Sequence, residues 1–181
     1  MHKVILTSCL ILQLVVLHGN AQETEETKAI LKFHNMVRKA ALNGKIPNQP
    51  KAKVMPPLKW NEKLAEIAQK HVEKCVLEAG KMEDLYVKRY DSVGQSVAEH
   101  MSIQKLLETW YEEHQDYKFD TNACPKECGN YKQMVWATTK EIGCGSKLCG
   151  EKQMVVCNYG PGADEGKPYE KAGDSGEGGE E

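Results

Sequence analysis

After its first two dozen residues the chain has no apolar run approaching the length of a membrane-crossing helix, which predicts that it carries no transmembrane anchor. Charge of one sign is also scarce: 24 Lys and Arg stand against 26 Asp and Glu, a net charge of -2. With no basic stretch dense enough to follow phosphates, nothing points to nucleic acid. The groups a hydrolase needs are missing as well. Nucleophilic catalysis requires a Ser, Cys or Thr beside a base that a third group orients, and no Ser here stands in a nucleophile-elbow context. The chain reads as a non-enzyme without a cofactor. Its end, from Ala163 to Glu181, is rich in Gly and acidic residues and lacks a large aliphatic side chain. Such a segment cannot recover its ordering entropy, so a disordered tail is expected over residues 165–181.

At the other end, Lys3 precedes a mostly apolar run from Val4 to Leu17, and Gly19, Asn20 and Ala21 supply small residues before Gln22. This is the layout of a secretory signal peptide spanning residues 1–21, too short to span a bilayer, and it predicts an extracellular protein. Cleavage removes Cys9 and leaves six cysteines, at positions 75, 124, 128, 144, 149 and 157. An even number in a secreted chain implies disulfides whose connectivity the sequence does not choose. The short Cys124 to Cys128 spacing would also suit a metal thiolate, although an oxidising compartment favours the disulfide. The roughly 160 mature residues suffice for one domain that buries about two-thirds of its unfolded surface. That domain is expected over residues 22–164.

Within it, Ile30, Phe33, Val37 and Ala41 recur at helical spacing and predict a first helix from Glu25 to Leu42, ended by Asn43 and Gly44. Pro47, Pro50, Pro56 and Pro57 make the next segment an extended connector. Asn61 suits an N-cap, followed by an apolar face of Leu64, Ile67, Ala68, Val72 and Cys75, with Gly80 placed to stop that helix. Ser102 caps a third helix carried by Ile103, Leu106, Leu107 and Trp110 and ending near Asp116. Met154 to Tyr159 reads as a buried strand with Glu141 to Gly145 as neighbour, an arrangement in which Cys144 and Cys157 would staple the pair. Periodicity alone yields only a mixed helix and strand class.

Several segments add a resemblance. GNYKQMVW, from Gly129 to Trp136, and VVCNYGP, from Val155 to Pro161, look like the paired signatures of the CAP superfamily of cysteine-rich secretory proteins, venom antigen 5 and plant pathogenesis-related proteins. HNMVR (His34 to Arg38), LKWNEKLAEIAQKHVEKC (Leu58 to Cys75) and WYEEHQDY (Trp110 to Tyr117) resemble its three helix patterns, in order. Together with the lost site residues described next, the pattern resembles the venom-allergen-like proteins of parasitic flatworms. The resemblance implies an α+β fold, a three-layer α-β-α sandwich, with Cys144 paired to Cys157, Cys75 to Cys149 and Cys124 to Cys128.

It also implies a cleft with two His and two Glu, in which the histidines hold zinc. Carried over position by position, these fall on Ala79, Gln95, Glu113 and Asn130, of which only Glu113 keeps its type. Zinc takes imidazole, thiolate or carboxylate donors, usually four, so no metal is expected, and one carboxylate cannot serve as an acid-base pair. His34, His71, His100 and His114 read as structural. The resemblance further implies lipid binding: sterol at an aromatic loop after the third helix, here Tyr117 and Phe119 with Cys124 replacing a last aromatic, or fatty acid between helices, with Val37 and Leu106 as candidates. Burying two rings against a rigid sterol gains about 25 cal/mol per Å². The expected partners are therefore a sterol or fatty acid, or host proteins engaged through the surface.

Overall fold

The computed structural model describes residues 24–173; the signal peptide expected over residues 1–21 lies outside them. Helix α1 spans Glu25–Leu42, and the Thr24 hydroxyl caps it by accepting from the Thr27 amide at 3.1 Å. Ile30, His34, Val37 and Ala41 form its buried stripe. Phe33 is only half-buried, because it stands on the flank of the helix rather than facing the sheet. The Pro-rich connector leads to β1 (Lys59–Trp60) and α2 (Glu62–Val72), where Asn61 caps through the Leu64 amide at 3.0 Å. Helix α2 stops well before Gly80. Cys75 lies outside it at φ 52, bonded to Cys149, so the covalent link takes the chain out of the helix.

Strand β2 (Gly94–His100) was not foreseen, because Gln95, Ser96, Glu99 and His100 give it no apolar run. Helix α3 (Ile103–Glu112) starts at Ser102, which accepts from the Lys105 amide at 3.2 Å, and tightens into a 3-10 turn at Glu113–Gln115. A short α4 (Gly129–Met134) precedes the hairpin β3 (Glu141–Cys149) and β4 (Lys152–Gly160). The sheet order is β1-β3-β4-β2, with β1 parallel to β3 and the other pairs antiparallel.

Side-chain alternation along β4 builds the three layers. Met154 and Val156 pack with Ala68 and Val72 of α2. Val155, Cys157 and Tyr159 turn the other way, into the larger core with Ile30 and Val37 of α1 and Leu106 and Trp110 of α3. Cys144 and Cys157 sit directly opposite in the β3–β4 register and are bonded there. The remaining bridges are Cys75–Cys149 and Cys124–Cys128, as the resemblance implied. Gly143 and Gly145 let α2 settle onto β3, since a Cβ on Gly143 would lie 2.2 Å from the Ala65 nitrogen.

The described part of the expected tail departs from expectation; residues 174–181 lie outside the described residues. Residues 165–173 are not a free tail: the Ala137 amide donates to Pro168, Lys53 to Glu170 and Ala172 to Lys51, each at 2.8 Å. Tyr169 is buried against Phe119 and donates its hydroxyl to Pro50 at 3.0 Å. One aromatic anchor, together with backbone partners in the Pro-rich connector, replaces the aliphatic residues this segment lacks.

Candidate functional site: a closed polar cleft and two apolar grooves

The 3-10 turn after α3 points Glu113 at the start of α4. Its carboxylate accepts from the Asn130 amide at 2.7 Å and from the Tyr131 backbone N–H at 2.9 Å. Burial raises the Glu113 pKa above the usual carboxylate range, while these two donors pull it back. His114, next in sequence, turns inward: its Nδ1 donates to the Tyr111 carbonyl at 2.7 Å and its ring stacks on Tyr111 with centroids 4.5 Å apart. The Gln49 amide donates to the His114 and Tyr117 carbonyls and ties this turn to the connector.

Gln95 is engaged elsewhere. Its Oε1 accepts from the Gly80 amide at 2.6 Å and its Nε2 donates to Asn158 at 2.8 Å, while Asn158 in turn donates to the Leu64 carbonyl of α2. Ala79 is exposed. Of the four carried-over positions, Glu113 and Asn130 are joined by a hydrogen bond, whereas the Gln95 side chain is spent on the α2 side of the sheet. The residues present do not fit a zinc ion: Ala79 offers no donor, Asn130 turns an N–H toward the one carboxylate, and both ends of the Gln95 amide are engaged. Among the described residues, no group of three or more His, Cys, Asp or Glu could hold a metal.

The first-helix motif does different work. His34 is fully buried, bonded through Nδ1 to the Ile30 carbonyl and through Nε2 to the Tyr159 hydroxyl, both at 2.9 Å. A carbonyl only accepts, so Nδ1 carries the proton and Nε2 accepts from Tyr159. Burial lowers the His34 pKa to about 4. Arg38 is 1% exposed, and its guanidinium donates to the carbonyls of Pro56, Met134, Trp136 and Thr139. Sequence reading treated the two motifs as separate similarities; that one buried cation joins them emerges only in three dimensions. The other histidines also have local partners. His71 is bonded to the Val76 carbonyl at 3.2 Å, and His100, at the end of β2, accepts from the Ser102 amide at 3.4 Å.

Two grooves offer apolar surface. The larger, about 730 Å³, lies over Phe119 and is walled by Val54, Trp136, Pro168 and Tyr169. Phe119 is thus part of a groove wall. Tyr117 is not: it is 2% exposed and donates to Asn122 at 2.8 Å, and Phe119 is itself 5% exposed, so neither ring is presented to solvent as expected and Phe119 offers the groove only its edge. The second groove, about 430 Å³, runs between α1 and α3 over Ala29, Phe33, Ile103 and Leu107. Val37 and Leu106, the candidates for an acyl slot there, are 2% and 0% exposed and belong to the core. They lie on the stripes facing the sheet, whereas the groove is formed by the helix flanks.

These features define a disulfide-stapled α-β-α sandwich with a degenerate polar cleft. The model of the cysteine-rich secretory protein family, CAP, matches residues 31–159. Venom allergen 5 of Vespa magnifica is 37% identical over 175 residues, covering 86% of this chain and 76% of that protein. The structure of Schistosoma mansoni venom allergen-like protein 4 superposes with a TM-score of 0.80 at 42% identity, over 84% of this chain and 98% of that one. A crystal structure of NaASP2 with Zn2+ shares the fold at a TM-score of 0.66 and 23% identity, over 82% and 87% of the two chains. The chain belongs to the CAP family.

Proposed function

We propose that the chain is a secreted, non-enzymatic lipid-binding protein that carries a sterol or fatty acid at an interface with a host. Three disulfides, and the leader expected from the sequence over residues 1–21, support secretion. The observation that carries the lipid reading is the groove over Phe119, whose volume falls within the roughly 300–1,000 Å³ of small-molecule sites and whose walls set aromatic and aliphatic side chains beside a rim of charged ones. An apolar ligand would cover the exposed Val54 and meet the edges of Phe119, Trp136 and Tyr169, rings the core already orders, so little side-chain entropy is lost on binding.

A second reading, docking onto host proteins, is favoured by one observation. Of the large apolar side chains exposed on the molecule, Val76, Leu77, Met82 and Tyr86 lie on the segment between α2 and β2, and Leu148 adjoins the Cys149 that is bonded to its base.

Delipidated full-length protein titrated with labelled cholesterol and labelled palmitate in detergent-free buffer separates the two. The lipid reading expects binding that Val54→Asp, at an exposed groove wall, weakens by about tenfold, equivalent to about 1.4 kcal/mol. If neither lipid binds at about tens of micromolar, the docking reading replaces it.

A further inference from the structure

A third pocket, of about 270 Å³, lies on the α2 side of the sheet, between that helix and the segment leading to β2. It shares no residue with either apolar groove, and neither Glu113 nor Asn130 lines it. Its polar wall is His71, a side chain only 9% exposed. The His71 Nε2 is bonded to the Val76 carbonyl at 3.2 Å; a carbonyl only accepts, so Nε2 carries the proton and Nδ1 is left as an acceptor. That Nδ1 has no hydrogen-bond partner among the described residues. Gly80 keeps the space beside it open. A Cβ there would lie 3.3 Å from His71 Nδ1, 3.4 Å from Gln95 Oε1 and 3.5 Å from Leu85 Cδ2, so three lining atoms converge on one bare backbone position.

The mouth of the pocket carries charges of both signs that do not meet. Lys70 and Lys74 stand four positions apart at the end of α2, and Asp84 lines the same space from the segment before β2. None of the three forms an ion pair among the described residues, whereas adjacent charges are paired, Glu73 with Lys147 at 2.7 Å and Lys81 with Glu83 at 3.9 Å. Ile67 and the buried Leu85 add an apolar wall.

We propose that this pocket binds a free aliphatic α-amino acid, with its ammonium at His71 Nδ1 and Asp84, its carboxylate at Lys70 and Lys74, and its side chain against Ile67 and Leu85. An anion alone would meet Asp84 and leave the buried imidazole lone pair without a donor. A cation alone would meet two lysines. A zwitterion answers both signs at once, and its ammonium donates where the neutral imidazole accepts. The volume lies just below the roughly 300–1,000 Å³ of sites for drug-sized ligands, which suits so small a molecule. Because the site is separate from the Phe119 groove, it stands or falls independently of the lipid reading.

Leucine, isocaproate and isoamylamine share one branched chain and carry, respectively, both head groups, the carboxylate alone and the ammonium alone. Each is titrated onto isotope-labelled full-length protein and followed by NMR at the Gly80 and Leu85 amides. Leucine should bind most tightly, with each analogue weaker by about tenfold. Joint Lys70→Ala and Lys74→Ala, at exposed side chains, should weaken leucine by about fivefold and leave isoamylamine unchanged, and Asp84→Asn should weaken leucine and isoamylamine but not isocaproate. Gly80→Ala, which fills the space beside Nδ1, should weaken all three. The proposal is overturned if leucine moves neither amide at about 10 mM, if either analogue binds as tightly as leucine, or if the lysine changes leave leucine unaffected.

Discussion

Asn130 donates its side-chain amide to the Glu113 carboxylate across 2.7 Å, and the Tyr131 backbone N–H takes the other carboxylate oxygen. The two residues close a small polar circuit in which each carboxylate oxygen has a donor. A histidine at position 130 would present a lone pair to a cation at this point, whereas the amide turns an N–H toward the carboxylate. The cleft is thereby converted from a place where a cation could be bound into a hydrogen-bonded joint between the turn after α3 and the start of α4.

Zinc should therefore not be retained. After dialysis against micromolar zinc and then metal-free buffer, elemental analysis is expected to find far less than one zinc per chain. Asn130→His should remain weak, because one imidazole and one carboxylate fall short of the usual four donors. One zinc per wild-type chain that disappears in Glu113→Gln would refute this.

His34 predicts an acid limb to stability. Its folded-state pKa is about 4 against an ordinary 6.5, with burial the main cause and the Arg38 charge adding to it. A base with a depressed folded pKa contributes stability that is complete above its unfolded pKa and is lost as pH falls through the folded one. Urea unfolding should thus lose up to about 3 kcal/mol between about pH 6.5 and pH 4 through this group. His34→Gln, less stable overall, should show a flatter profile in that window. An NMR titration placing the His34 pKa near its ordinary value would sink the prediction.

Gly143→Ala should be severe. The added Cβ would lie 2.2 Å from the Ala65 nitrogen and 2.5 Å from the Asn61 carbonyl, both backbone atoms that cannot step aside without moving α2 off the sheet. A cost of about 3 kcal/mol or more is expected in chemical denaturation. Gly129→Ala, whose Cβ meets nothing within 4 Å at the start of α4, should change stability by less than about 1 kcal/mol, in the stabilising direction. Equal midpoints for the two variants would contradict the close-approach argument.

What could be read in the sequence follows the range of the forces involved. Thr24, Asn61 and Ser102 cap their own helices, and α1 and α3 are periodic, so their starts are local information. The end of α2 is not local, because a bond to Cys149 overrides the helical pattern at Cys75. Strand β2 is polar at most positions and is held by its pairing with β4, so its residues alone carry little strand signal. The ordered run 165–173 depends on the Ala137 amide and on carbonyls and amides of the Pro-rich connector more than a hundred residues away, beyond any window of composition. At the cleft, the residue types at positions 79, 95, 113 and 130 were legible by motif. The hydrogen bonds of Gln95 to Gly80 and Asn158 were not, because they depend on which face of β2 it occupies. Helix periodicity separated buried from exposed positions, but the flank residues that line a groove are intermediate in both burial and pattern.

The Arg38 guanidinium gives the first-helix motif and the GNYKQMVW signature a shared purpose that has nothing to do with ligands. By holding the carbonyls of residues 134, 136 and 139 from a helix a hundred positions earlier, it locks the exit of α4 against the Pro56 connector. A lysine there, with a single point charge and no fork, could not span those acceptors. HNMVR and GNYKQMVW are thus two halves of one mechanical latch. The latch uses backbone carbonyls and Arg38 alone, so it closes whatever side chain stands at position 130, and a match to this pair of motifs speaks to the architecture and not to a metal.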